Sequence, residues 1–409
     1  MDHRSRNPAP DLRSPTPGPV EVQQTRTYVP ELDGVRALCV LGVITAHLGD
    51  QEVWHWLSGG LGVNVFFVLS GYLITMLALR EERETGSVSL KAFYVRRTMR
   101  IFPLYYLALV VYCGLMYATH WGRDLRPNFT AALPYYLTYL QEIPFAYDVV
   151  AAGHKSPFSH SWSLGIEEKY YLVWPLLAFV VWARLPALRL RGTVILLILY
   201  TAMQCVGRLD PRIAAWQPEI ILFPYSLILW GCLLAQLLED DEWRRRLSVL
   251  GTRTGTALVV VAFVAAQLAY AWLNPTFREI VIVHAAATTA VVAALLTGDG
   301  PVQGLLRTRP AVFVGRASYG MYLFHGLGIS AGQKVFPAGS GNVGRSILAF
   351  VLAALVTVAI AYVLALLVER PFLRLGRRWS DAILRRRPPS ATPSHATSGV
   401  GVNFRQVGS

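Results

Sequence analysis

DGVRALCVLGVITAHL, residues 33–48, is an apolar run that contains two groups hydrocarbon rejects, Arg36 and His47. They stand eleven positions apart. At roughly 100° per residue that is three turns plus about 20°, so in a helix both side chains leave nearly the same face. The same spacing separates them by roughly 16 Å, about half of a hydrocarbon core of roughly 30 Å. An ionisable group facing lipid costs several kcal/mol, so such a stripe is directed at protein or water. Two readings are open. The pair lines a polar cavity, or Arg36 snorkels to headgroups while a neighbouring helix satisfies His47.

The rest of the chain places this run in a membrane. Of 409 residues, 54% are hydrophobic and only 15% charged, with mean hydropathy +0.40. Soluble domains carry about 25% charged residues. The net charge of +13 falls in short basic clusters between apolar runs, which is the pattern of cytoplasmic loops and argues against a nucleic-acid surface. Cys39, Cys113, Cys205 and Cys232 all lie in apolar runs without CxxC spacing, so they read as packing residues; neither disulfides nor a metal site follows.

Residues 1–28, rich in Pro, Arg and Ser, read as a disordered tail. Apolar segments then fall at about 32–49, 57–79, 101–119, 163–183, 193–207, 219–238, 255–273, 278–297, 311–333 and 346–368. The fold class expected is an all-α polytopic bundle of about ten transmembrane helices. Clusters such as Lys91–Arg100, Arg244–Arg246 and Arg385–Arg387 put both termini in the cytoplasm. The membrane domain is expected over 29–375, followed by a basic, disordered tail over 376–409. A piece at about 131–140, with Pro134, Tyr135, Tyr136 and Tyr139, is too short to span and reads as re-entrant or interfacial.

Several residues stand out. Gly59, Gly60, Gly62 and Gly71 in GGLGVNVFFVLSGYLIT permit close approach of a neighbouring helix or a ligand. Asn64, Ser70 and Tyr72 are polar groups of that span, and an interhelical hydrogen bond explains Asn64 as well as a ligand does. Arg97 and Arg100 share a face at the mouth of the third span, either as orientation markers or as a phosphate clamp. Trp162 opens a span that carries Glu167, Glu168 and Lys169, which require a cavity or pairing. Ser318, Tyr322 and His325 recur on one helical face, and His284 stands alone as a structural histidine.

Arg36 and His47, GVNVFFVLSGYLI, FYVRRTMRIFPLYY, WSLGIEEKYYLVWP, SYGMYLFH and ERPF follow one another in this order. Together they resemble the acyltransferase 3 family of membrane-bound O-acyltransferases over residues 29 to 375. The resemblance implies transfer of an acetyl or other short acyl group from cytosolic acyl-CoA, a co-substrate with no permanently bound cofactor. The acceptor is a hydroxyl of a glycan or glycosylated product of the cell envelope. It also implies a plasma or inner membrane location, His47 as the essential histidine and Arg97 and Arg100 as the Arg-x-x-Arg pair. Asn64 stands where an acidic residue is common and Lys169 where glutamine is common. With no esterase-like domain after the last span, single-domain action is expected.

Acyl transfer needs a base for the hydroxyl and donors for the oxyanion. Phosphates on Arg97 and Arg100, a thioester near His47 and an acceptor arriving from outside make a two-sided scheme. Arg36 lines the donor path or holds a carboxylate, and Glu167 or Glu168 orients an imidazole. A covalent acyl-histidine is equally compatible with the sequence. The competing classes are a proton-coupled transporter or flippase, which the same intramembrane Arg, His and Glu would serve, and a membrane scaffold.

Overall fold

Pro30 opens the first helix at a position where its missing N–H costs nothing, with Glu31 and Asp33 in the first turn at the positive end of the helix dipole. This helix, α1 (Pro30–His47), is the axis of the molecule. The computed structural model describes residues 28–49, 51–146, 156–183, 185–207, 222–273, 280–337 and 342–386, and among these there is no strand. Arg184, residues 1–27 of the expected N-terminal tail and 387–409 of the C-terminal one lie outside the described residues.

Packed against α1 are α2 (Leu61–Thr85) and, on another side, α11 (Arg309–Val335). Between them in the chain run α3 (Leu90–Ala118), α4 (Arg126–Leu137), α5 (Trp162–Leu176), α6 (Pro186–Gly207), α7 (Phe223–Leu237), α8 (Asp241–Ser248), α9 (Arg253–Leu273) and α10 (Ile280–Thr297). After α11 come α12 (Val343–Leu364), a π turn at Ala365–Glu369 and α13 (Arg370–Arg385). α7 packs on α2 and α6, α12 on α11, and α13 on α3. The last helix thus runs past residue 375, where the membrane domain was expected to end.

The α2–α7 crossing explains one glycine. A methyl group on Gly71 would overlap the Ile228 carbonyl, and one on Gly231 would overlap that of Val68, so the two backbones meet directly. Gly59 and Gly62 are likewise closed off by Gly42 and Cys39 of α1, whereas Gly60 faces open space and serves no such contact. The four cysteines are free.

Helices lie over every segment expected to span. Among the described residues five are long and apolar enough to cross a membrane by length and composition: His55–Thr85, Leu90–Ala118, Arg253–Leu273, Ile280–Thr297 and Val343–Arg385. α1 carries Glu31, Asp33 and Arg36, and α7 has only 15 residues. The segment read as re-entrant or interfacial forms α4, which buries Phe129, Ala132 and Tyr136 against the bundle. The Tyr105 hydroxyl donates to the Tyr136 carbonyl at 2.8 Å, and the Tyr139 ring stacks on Tyr105 at 4.3 Å.

His284, read from the sequence as structural, has one of its two ring nitrogens paired. It lies fully buried and donates from Nε2 to Gln267 Oε1 at 2.8 Å; Gln267 in turn donates to the Leu57 and Ser58 carbonyls.

Candidate active site

The arginines of α1 and α3 meet around an opening at the end of the bundle where α1 begins. A vestibule of about 980 Å³ is walled there by α1, α2, α3 and α13. Arg36, Arg80, Arg96, Arg97, Arg100 and Arg377 line it, against Glu81 and Glu84. Local pairing sorts these cations. Arg80 is held by Glu84 at 2.6 Å, Arg36 by Asp33 at 2.9 Å, and Arg96 by Glu81 at 2.9 Å and the Ser380 hydroxyl at 2.8 Å. Among the described residues Arg97, Arg100 and Arg377 have no carboxylate within ion-pairing distance. The Arg97 guanidinium lies over the Tyr171 ring, 4.9 Å from its centroid, which orients it without neutralising it.

Arg36, Arg97 and Arg100 also form the collar through which the vestibule meets a second, inner cavity of about 100 Å³. Ser70, Glu167, Tyr171, Ser318 and Tyr319 line this cavity, and Ser163 and Tyr322 are on its wall too. Tyr171 donates to Glu167 at 3.0 Å. The Tyr322 hydroxyl bonds to the His160 carbonyl and to Ser163 Oγ, the latter at 2.8 Å.

Behind that hydroxyl lies the other end of the bundle. His47 is the last residue of α1 and is exposed. It lines an outer pocket of about 340 Å³ together with His160 and His325. The His325 ring stands 4.9 Å from His47 and 4.6 Å from His160, edge to face in both cases. Tyr322 touches His160 and His325 on one side and the inner cavity on the other, so it is a wall between the two compartments. His47 Nδ1 lies 2.9 Å from the Val43 carbonyl, and His325 Nδ1 2.7 Å from that of Tyr322. A carbonyl only accepts, so both Nδ1 atoms carry the proton and the neutral rings keep a lone pair on Nε2.

The structure thus divides the residues singled out in the sequence. Arg36 and His47 share a face, but the stripe reaches two compartments where one cavity was expected. Arg97, Arg100, Arg36, Ser70, Glu167 and Tyr322 converge on the inner cavity, and His325 joins His47. Glu168 lies off both linings, and among the described residues no carboxylate bonds to His47, His160 or His325. Lys169 does not pair with Glu168; it binds Glu142 at 2.9 Å and the Tyr139 carbonyl at 2.6 Å. Asn64 is half-buried away from the cavities, Trp162 packs on Phe67, and Tyr72 lines a separate cavity of about 120 Å³ beside Glu31 and Glu239. His160 was missed. It sits in a single 3-10 turn, Ser159–Ser161, where no helical period marks it, and only its place two residues before Trp162 hinted at a role.

A family model described as an acyltransferase domain matches residues 29–366. The chain belongs to the acyltransferase domain family. It is 30% identical over 342 residues to the peptidoglycan O-acetyltransferase OatA of Listeria monocytogenes, covering 79% of this chain and 53% of that protein. It is 29% identical to the putative peptidoglycan O-acetyltransferase YrhL of Bacillus subtilis, over 74% of this chain and 49% of the relative. The O-acetyltransferase OatA of Staphylococcus aureus is 28% identical over 75% of this chain and 51% of its own length. The chain therefore spans about half the length of the curated relatives it matches. No solved structure matches it significantly. The matched span holds Arg36, His47, Arg97, Arg100, His160, Tyr322 and His325, while α13 lies beyond it.

Proposed function

We propose that this chain is an integral membrane O-acyltransferase that moves a short acyl group from acyl-CoA to a hydroxyl of a glycan, peptidoglycan among the acceptors that the relatives' names suggest. In this reading about ten helices span the membrane, both termini are cytoplasmic, and the vestibule faces the cytosol. The observation that carries the reading is a vestibule with three unpaired arginines that shares Arg36, Arg97 and Arg100 with a small inner cavity, whose wall at Tyr322 backs onto His160 and His325 of the outer pocket. A bulky polyphosphate head with a thin arm and a small acyl group has that shape and charge.

The donor's phosphates bind Arg97 and Arg100, its pantetheine arm passes the collar beside Arg36, and its thioester carbonyl rests near Ser163 and Tyr322. The acceptor hydroxyl enters the outer pocket. His47 Nε2 removes its proton, and the oxygen attacks the thioester carbon to form a C–O bond. Ser163 and Tyr322 can donate to the oxyanion that results only by giving up their present bonds, Ser163 to the Tyr322 hydroxyl and Tyr322 to the His160 carbonyl. Its collapse breaks the C–S bond, and the departing thiolate takes up the proton from the imidazolium. The products are an O-acyl ester and free CoA. Tyr322 separates the two half-sites, so this wall opens in each turnover.

The test is cleavage of labelled acetyl-CoA by the protein in detergent or membranes, with His47→Ala at matched expression. Acceptor-independent hydrolysis lost in the variant supports the reading. Wild type that neither binds nor cleaves a short acyl-CoA refutes it, and movement of an unmodified glycan across the membrane would identify a transporter in its place.

A further inference from the structure

The outer pocket differs in chemistry from the vestibule. Among the described residues no Lys, Arg, Asp or Glu lines it. Its polar groups are the Ser156, Ser159 and Ser330 hydroxyls and three imidazoles. Ser156 Oγ accepts from the Tyr136 hydroxyl at 2.8 Å and so keeps its own proton to donate. Ser330 donates to the Gly326 carbonyl at 2.8 Å and so keeps lone pairs to accept.

One aromatic ring completes the wall, Trp121. It stands on a tight turn after α3, where the Thr119 hydroxyl accepts from the Trp121 backbone N–H at 3.1 Å and Gly122 adopts φ +60°. That left-handed backbone favours glycine. Tyr112 supports the indole at 5.9 Å between ring centroids, and among the described residues the indole N–H has no partner. An aromatic face with a free donor at its edge, beside hydroxyls and without a permanent charge, matches a pyranose ring, which has an apolar C–H face and a hydroxyl rim.

We propose that Trp121 is the platform on which an uncharged sugar of the acceptor stacks, with Ser156 and Ser330 holding its hydroxyl rim and one hydroxyl directed at His47. This rests on the O-acyltransferase reading and names the acceptor's chemical class. Among the described residues of the lining no carboxylate, Lys or Arg offers a charged sugar a permanent counter-charge, so an uncharged sugar is favoured.

Direct binding separates this inference from the catalytic reading, because it needs no donor. Neutral oligosaccharides of N-acetylglucosamine, glucose and galactose, with glucosamine and uronic acid counterparts, are titrated into the purified protein by calorimetry. At least one neutral glycan binds, and the charged counterparts bind at least tenfold more weakly. Trp121→Ala weakens the neutral ligand at least tenfold, and Trp121→Phe retains most of the affinity. Unchanged circular dichroism and thermal unfolding temperature in Trp121→Ala and Trp121→Phe report that the fold is intact. Failure of every neutral glycan to bind, equal binding of a charged one, or unchanged affinity in Trp121→Ala overturns the proposal. Loss of donor cleavage in wild type bears on the catalytic reading alone.

Discussion

Arg96 and Arg97 are neighbours in one basic cluster, yet the structure assigns them opposite fates on substitution. Arg97 lines both the vestibule and the inner cavity and has no carboxylate partner among the described residues. Its guanidinium is free to donate a charge-assisted hydrogen bond to a donor phosphate, worth roughly 1.5–3 kcal/mol. Arg97→Ala therefore raises the KM for acyl-CoA by roughly 10- to 150-fold, at about tenfold per 1.4 kcal/mol. Arg97→Lys recovers only part of this, since an ammonium lacks the planar fork. Arg96 is already engaged by Glu81 at 2.9 Å and Ser380 at 2.8 Å, so Arg96→Ala changes the donor KM by less than about threefold. Its effect falls on the attachment of α13 to α3, read as earlier proteolysis of the C-terminal helix. The assay is steady-state thioester cleavage at varied acyl-CoA in nanodiscs, beside limited proteolysis. Equal donor KM changes in Arg96→Ala and Arg97→Ala, or none in Arg97→Ala, would refute the reasoning.

His47→Gln lowers turnover by roughly 10²- to 10⁴-fold while donor affinity, measured by equilibrium binding, stays within about twofold, as expected for loss of a proton acceptor. Tyr322→Ala removes the wall between inner cavity and outer pocket, so the ratio of acyl-CoA hydrolysis to transfer rises; a ratio equal to wild type would show that Tyr322 separates nothing. Arg189→Ala leaves Glu82 uncompensated, because Arg189 makes a two-pronged pair with it at 2.8 and 2.9 Å and is only 4% exposed. Glu82 is 25% exposed and can be hydrated, so the expected loss is about 1–3 kcal/mol, visible as a fall in thermal unfolding temperature in detergent.

What could be read in the sequence and what could not follow from the range of the interactions involved. The Arg36–His47 stripe and the Arg97–Arg100 pair are local: helical spacing alone puts each pair on one face, and the structure brings both onto cavity walls. The difference between Arg96 and Arg97 is not local, since Arg96 is satisfied by Ser380, 284 positions away. The partition is also beyond reach of spacing. It depends on the Tyr322 hydroxyl meeting the His160 carbonyl, 162 positions away, in a turn too short to carry a period. Glu168 misled for the opposite reason. An acidic group in an apolar run demands an explanation, and two adjacent carboxylates cannot be told apart until the helix is rotated into place; only Glu167 is on the cavity wall.

The division between site and membrane is itself a consequence of composition. Of the helices that carry the site, α2 with Ser70 and α3 with Arg97 and Arg100 are among those apolar and long enough to cross by themselves, whereas α1, α5 and α11 are absent from them. Their polar stripes, from Arg36 and His47 to Tyr322 and His325, would be costly against lipid. The cost is avoided by position. The apolar stretch of α9 is only 11% buried by protein and that of Val343–Arg385 only 17%, so these helices take the outer places. His325, by contrast, is 1% exposed, and Tyr322 is buried. Hydropathy therefore finds the outer helices, and also α2, whose apolar stretch is 61% buried, but it passes over α1, α5 and α11, where charged and polar groups interrupt the apolar run. A polar group added to α9 or α12 would meet lipid where the same group on α11 meets the site.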